Sequence, residues 1–184
     1  MPALQSRRCD VLNSGLYMSE KRLAVADASP VLNTGAAIVT TPENAKSYAE
    51  ATDLCGVAVT AQAASANATL IEDLKKPCEE AGEDAPKLTQ YPQTSQTVLA
   101  VLNGKSDALV ETDVAAAYMA TKNDGKLVVV DTIFPKDTQF GVFTRKGDKL
   151  SQSVAEAVDA LRADGTLAEL ATKYGLNPAS IAAS

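Results

Sequence analysis

The chain has 184 residues, enough for one ordinary domain or two small lobes with a real core. Apolar residues make up 46%, much of it alanine, with no tryptophan and few other aromatics, which suits a small-residue α/β protein better than a β-sandwich. A net charge of −6 without a basic cluster or aromatic platforms argues against nucleic acid as a partner, and the lack of any histidine removes the commonest general base, the imidazole metal ligand and every Ser-His or Cys-His pair.

The first predicted element is a strand over 9–13, ending at Ser14-Gly15 and turning toward a helix that carries Lys21 and Arg22. A turn of this kind leaves backbone N–H groups unpaired, and the Arg22 guanidinium beside it would complete an anion site, because its fork matches a carboxylate. Strands are then predicted over 35–41 and 56–61, followed by a helix within 66–81 with Leu70, Ile71 and Leu74 on one face. A strand at 87–91 precedes a helix at 94–103 that Gly104 stops. A strand at 107–111 leads into an alanine-rich helix over 113–122, opening after Thr112 or Asp113, both acceptable caps. Strands at 127–131 and 139–144 come next. Leu150, Val154, Val158 and Leu161 then mark a helix that closes at Asp164-Gly165, and a last helix spans 166–174.

This alternation predicts a parallel or mixed sheet with helices on both faces. The strand at 35–41 and the region near 132–140 bracket a compact block, as when one lobe is inserted into another with the crossing strands as hinge. The expected division is a complete lobe over 36–133 and a second lobe made of 1–35 and 134–184. No run of ~18 apolar residues occurs, so no membrane-spanning helix is predicted. Met1-Pro2-Ala3-Leu4-Gln5 leads through Ser6-Arg7-Arg8 to the first strand without a secretory signal. Two readings stay open, a cytoplasmic protein or a chain whose front has been removed. Cys55 precedes a strand and Cys78 lies near the end of the following helix, so the thiols either meet or are separate buried side chains. Cys9, within the first predicted strand, is expected to be a buried free thiol.

Taken together, several segments resemble the polar amino-acid-binding proteins of bacterial ABC importers, which have a two-lobe type II periplasmic binding fold. They are Ser14-Gly15-Leu16 with Lys21-Arg22, Val25 to Pro30, Asp53 to Val59, Leu102-Asn103-Gly104-Lys105-Ser106-Asp107-Ala108, Tyr118, and Leu161 to Leu167 through Lys173-Tyr174-Gly175. Their order is the family's, over nearly the whole chain. The resemblance implies a member lacking the front of its first lobe, with that lobe truncated and the other complete. It also implies a Cys55–Cys78 disulfide and a periplasmic location.

For the site, the resemblance implies a free L-amino acid bound between two lobes by hinge closure, with no cofactor, metal or catalytic residue. Arg22 would grip the α-carboxylate, with the backbone of Ser14, Gly15 and Leu16 beside it. Tyr17 either lines the side-chain pocket or packs. Ser65, Ala66 and Asn67 would offer a helix N-terminus, although Ala64 stands where the family has glycine. The family's ammonium-binding aspartate falls on Thr112, so Asp113 would serve if a bulge brought it, or Glu111, into place; otherwise Asp113 caps the helix. The expected partners are the membrane subunits of an importer. A homodimer formed by edge pairing or swapping of the truncated lobe is also expected, with weak amino-acid binding by this chain alone. Two alternatives stand beside the binder: a dehydratase-like enzyme acting on a small carboxylic acid through Glu111 or Asp113, and the sensing module of a larger receptor.

Overall fold

The computed structural model describes residues 1–183. In chain order the elements are α1 (Pro2–Gln5), β1 (Val11–Tyr17), α2 (Glu20–Leu23), β2 (Ala26–Thr34), β3 (Ala36–Thr40) and β4 (Ala58–Gln62). Then come α3 (Ala66–Asp73), α4 (Lys75–Ala81), β5 (Lys87–Tyr91), α5 (Thr94–Leu102), β6 (Ala108–Thr112) and α6 (Asp113–Lys122). The chain ends with β7 (Val128–Val130), β8 (Thr138–Arg145), α7 (Leu150–Ala163) and α8 (Thr166–Lys173). It divides into a central unit, Gly35–Pro135, and a terminal unit made of Met1–Thr34 with Lys136–Ser184. No helix among the described residues is long and apolar enough to cross a membrane.

The central unit is a five-stranded sheet in the order β5-β4-β6-β3-β7. β4 runs parallel to both β5 and β6, while β3 is antiparallel to β6 and β7. Successive residues of β3 face opposite sides, so Ile38 joins an apolar cluster with Leu54, Val59 and Ile71, and Val39 joins another with Leu109, Val101 and Leu127. A sheet buried on both faces explains why β3 and the Ala108–Val110 part of β6 read as continuous apolar runs. Cys55 and Cys78 are joined, with Cα atoms 5.6 Å apart, and tie the segment before β4 to α4.

The terminal unit is a three-stranded antiparallel sheet in the order β1-β8-β2. Its apolar cluster is small, with Leu4, Ala26 and Phe143 at the centre. The outer edge of β2 is met by the chain's end, where Ile181 bridges Leu32 and the Ala182 N–H donates to the Val31 carbonyl at 3.0 Å. Arg162 on α7 fixes this arrangement by donating to the carbonyls of Ala182 (2.7 Å) and Pro30 (2.8 Å).

Several elements differ from the sequence reading. The first strand does not stop at Ser14-Gly15 but continues to Tyr17, and Cys9 lies ahead of it as a half-exposed free thiol. β2 carries Asp27, Ser29, Pro30 and Asn33, a composition that argues against a strand, yet it pairs with β8 along its length. Pro30 is tolerated at this edge strand, where the register shifts between Pro30 and Leu32. The single helix expected within 66–81 is two, broken at Leu74, because Pro77 has no N–H to donate to residue 73. No bulge displaces β6, whose pairing with β3 runs regularly from Ala108–Thr40 to Thr112–Ala36.

Candidate functional site

In the central unit the chain leaves β4 for β5 and then returns past β4 to β6, so the order reverses between the carboxyl ends of β4 and β6. Open α/β sheets bind ligands in the crevice at such a reversal. The residues found there begin with Gln62 and continue through Ala63 to Ala64, which adopts the left-handed conformation at φ 56°. That backbone turn aims the chain into α3. Ser65 caps it, its Oγ accepting from the Ala68 N–H at 3.0 Å while donating to the Gln62 carbonyl at 2.7 Å. Beyond this cap the N–H groups of Ala66 and Asn67 precede the first intrahelical bonds, as at any helix start.

At the end of β6, Thr112 caps α6 by accepting from the Ala115 N–H at 3.3 Å, and Asp113 is the first helical residue. The Asp113 N–H donates to the Gly35 carbonyl and its Oδ1 accepts from the Val114 N–H. Between the two helix starts stands Glu111. Its Oε1 accepts from the buried Asn67 Nδ2 at 2.9 Å and from the Thr112 N–H at 2.8 Å. Burial pushes the Glu111 carboxyl above the ordinary glutamate range, outweighing the hydrogen bonds from the Thr112 N–H and the Asn67 amide that favour the charged form. Ser65, Ala66, Asn67, Thr112 and Asp113 thus sit on adjoining helix starts, with Glu111 linking them.

In the terminal unit, β1 bulges. Asn13 pairs with Val142 and Tyr17 with Phe140, so Ser14, Gly15 and Leu16 together face Gly141. Ser14 and Gly15 are exposed. The bulge thus leaves backbone groups outside the ladder within the strand itself, not at the strand-to-helix turn expected from the sequence. Tyr17 stacks on Phe140 with ring centroids 5.2 Å apart. Arg22 is half-buried on α2, and its Nη1 donates to the Tyr17 carbonyl at 2.8 Å, holding the guanidinium beside the bulge.

Among the described residues no group of three or more His, Cys, Asp or Glu side chains is placed to hold a metal ion. The role of Glu111 as the link between α3 and α6 was missed by sequence reasoning. The available signal was its place as the one charge ending the apolar run Ala108-Leu109-Val110.

The profile of the bacterial extracellular solute-binding proteins, family 3, matches residues 1–177. A comparison with curated protein sequences gives no match. Among solved structures, the amino-acid ABC transporter substrate-binding protein AbpA of Streptococcus pneumoniae, bound to L-arginine, is 23% identical with a TM-score of 0.81, over 94% of this chain and 70% of that one. An ancestral arginine-binding protein bound to arginine is 28% identical with a TM-score of 0.75, over 94% of this chain and 74% of its own. The ancestral amino acid-binding protein AncCDT-1, a precursor of cyclohexadienyl dehydratase, is 26% identical with a TM-score of 0.79, over 94% and 72%. The fold is therefore that of the type II periplasmic binding proteins, and the chain belongs to the bacterial extracellular solute-binding proteins of family 3.

Proposed function

We propose that this protein is the extracytoplasmic ligand-binding component of an amino-acid ABC importer, handing a free L-amino acid to the importer's membrane subunits. The observation that carries this reading is the family match over residues 1–177. The adjoining helix starts at Ser65 and Thr112 add to it, at the sheet position where α/β proteins take ligands. The mechanism is conformational: a ligand gripped by groups on both units favours the arrangement that brings those groups to it.

Arg22 binds the α-carboxylate, assisted by the backbone of Ser14, Gly15 and Leu16, with Tyr17 contributing to the wall. Ser65, Ala66 and Asn67 direct the positive end of α3 at the same anionic group. Thr112 and Asp113 line the other end of the ligand. The test is to equilibrate the full gene product with an amino-acid mixture and identify what it retains by mass spectrometry. Retention of an L-amino acid is expected, with Arg22→Ala weakening it by about 3 kcal/mol, since a carboxylate loses its charged partner. Retention of none of them rejects the reading, and unchanged affinity in calorimetry removes Arg22 from the site.

A homodimer paired along β1 accompanies this proposal, because the outer edge of β1 has no strand neighbour among the described residues. Light scattering that shows a monomer at micromolar concentration excludes it. A dehydratase is a second reading, favoured by Glu111, since burial raises its carboxyl above the ordinary glutamate range, the direction a general acid needs. Following a small carboxylic acid such as prephenate by NMR separates the two, because only the enzyme consumes it.

A further inference from the structure

α5 and α6 lie on one face of the central sheet, α5 over β4, β5 and β6 and α6 over β3, β6 and β7. Each follows one strand and leads back to the start of another that runs the same way, so the two helices point in one direction. Their facing sides repeat at helical spacing: Ser95, Val98, Leu99 and Leu102 on α5, against Ala115, Tyr118, Met119 and Lys122 on α6. Between them runs a groove of about 610 Å³, within the range of small-molecule sites.

The shape of the groove follows from these side chains. Ala115, with only a methyl to offer, leaves space beside Val98 and Leu102 that a longer side chain would fill, and the buried Met119 completes an apolar floor. Leu99 and Tyr118 form the rims, 54% and 64% exposed. From Ala115 to Lys122 the floor extends roughly 10 Å, at 1.5 Å per residue.

Charge narrows the choice of occupant. Acidic residues outnumber basic ones in the central unit, yet the one charged side chain lining the groove is the cation Lys122, at its far end. The Lys122 Nζ lies 5.6 Å from the centroid of the Tyr118 ring and forms no ion pair among the described residues. A wholly apolar occupant would strip water from this ammonium without offsetting its charge, and a cationic one would be repelled. An anionic head beside Lys122, with hydrocarbon along the floor, satisfies both parts of the groove.

We propose that the groove between α5 and α6 binds a small amphiphilic carboxylate, its head at Lys122 and its apolar body over Val98, Leu102 and Met119. None of the lining residues is among those assigned to the amino acid above, so the two sites can be tested separately.

The experiment follows the methyl signals of Val98, Leu99, Leu102 and Met119 by NMR in the full gene product, titrated with octanoate and, in parallel, with octylammonium. Octanoate should move them saturably, with a dissociation constant on the order of 1 mM for a ligand of this size. Octylammonium, with the same chain and the opposite charge, should bind about three- to tenfold more weakly, and Lys122→Gln should bring the two affinities together. Ala115→Leu, which fills the floor, should abolish the octanoate shifts. If that variant fails to fold, Leu99→Asp takes its place, since it sets a carboxylate on an exposed rim and should weaken octanoate in the same sense. Equal affinity of the wild type for the two probes, the absence of a saturable shift, or shifts as large at the exposed Leu170 and Tyr174 of α8 overturns the proposal. A shift of the groove methyls with protein concentration alone, accompanied by a dimer mass in light scattering, also overturns it, because a second copy is then the occupant.

Discussion

The two units differ in how their cores are shared out. The central unit buries both faces of a five-stranded sheet, with separate apolar clusters on each side and a disulfide across one of them. The terminal unit closes three strands over a cluster centred on Leu4, Ala26 and Phe143, and relies on polar ties such as those of Arg162 and Arg145. Redundant burial tolerates the loss of one side chain; a small core does not. The terminal unit should therefore open first, at lower denaturant, and exchange its amide protons faster.

The sharpest way to break this comparison is Phe143→Ala, which removes the largest fully buried side chain and should cost about 3–5 kcal/mol. Hydrogen exchange read separately for each unit should show the loss confined to β1, β2, β8 and α7. Spread into the central sheet would mean that the units unfold as one. Replacing Cys55 and Cys78 by serine should act on the other side, at about 3 kcal/mol in the chain-entropy account for residues 23 apart in sequence. Thiol titration of the denatured, unreduced wild type should find only Cys9 reactive. Gly141→Ala comes next. An added Cβ would lie 2.7 Å from Met18 Sδ and 3.1 Å from the Ser29 carbonyl, so about 1–3 kcal/mol should be lost even after Met18 shifts.

Acid should act on Glu111 in the opposite sense to the depressed aspartates of both units. Asp27, held down chiefly by the Gly147 N–H, and Asp148, held down chiefly by the Leu150 N–H, both lie below the usual carboxylate range. Their contribution is present above the unfolded-state value and is lost as pH falls through the depressed folded value. In the central unit Asp53, held down by the N–H groups of Ala49 and Glu50, acts in the same sense. Glu111 acts in the opposite one, stabilising below the ordinary glutamate value and ceasing to do so as pH passes its raised folded value. Denaturation of Glu111→Gln across this range should show a steeper acid loss in the central unit than the wild type shows. The smallest effect expected is Ala64→Gly, which relieves a left-handed alanine and should gain up to about 1 kcal/mol, visible as a small increase in melting temperature.

Most of the central unit was legible because its strands and helices announce themselves locally. β3 and the Ala108–Val110 start of β6 are apolar runs, Gly104 ends α5, and Thr112 opens α6. β2 was not, since a segment with aspartate, proline and asparagine becomes a strand only through its long pairing with β8. The bulge of β1 is likewise a product of pairing: three residues opposite Gly141 cannot be read from Ser14-Gly15 alone. Of the site, the Ser65 cap follows from local sequence. The Asn67–Glu111 contact joins residues 44 apart and exists because β4 and β6 are neighbours in the sheet, an order that periodicity does not contain.

The position of β8 also sets a folding order. Both β1 and β2 pair with β8 and not with each other, so the sheet they form has no partner strand until residues 138–145 leave the ribosome. The central unit, by contrast, is complete in sequence by Pro135 and closes its own sheet from strands already made. During synthesis the inserted block is therefore able to fold while β1 and β2 wait as unpaired segments, exposed to whatever binds such strands. A chain interrupted between Pro135 and β8 would carry a folded block preceded by two strands, β1 and β2, with β8 missing between them.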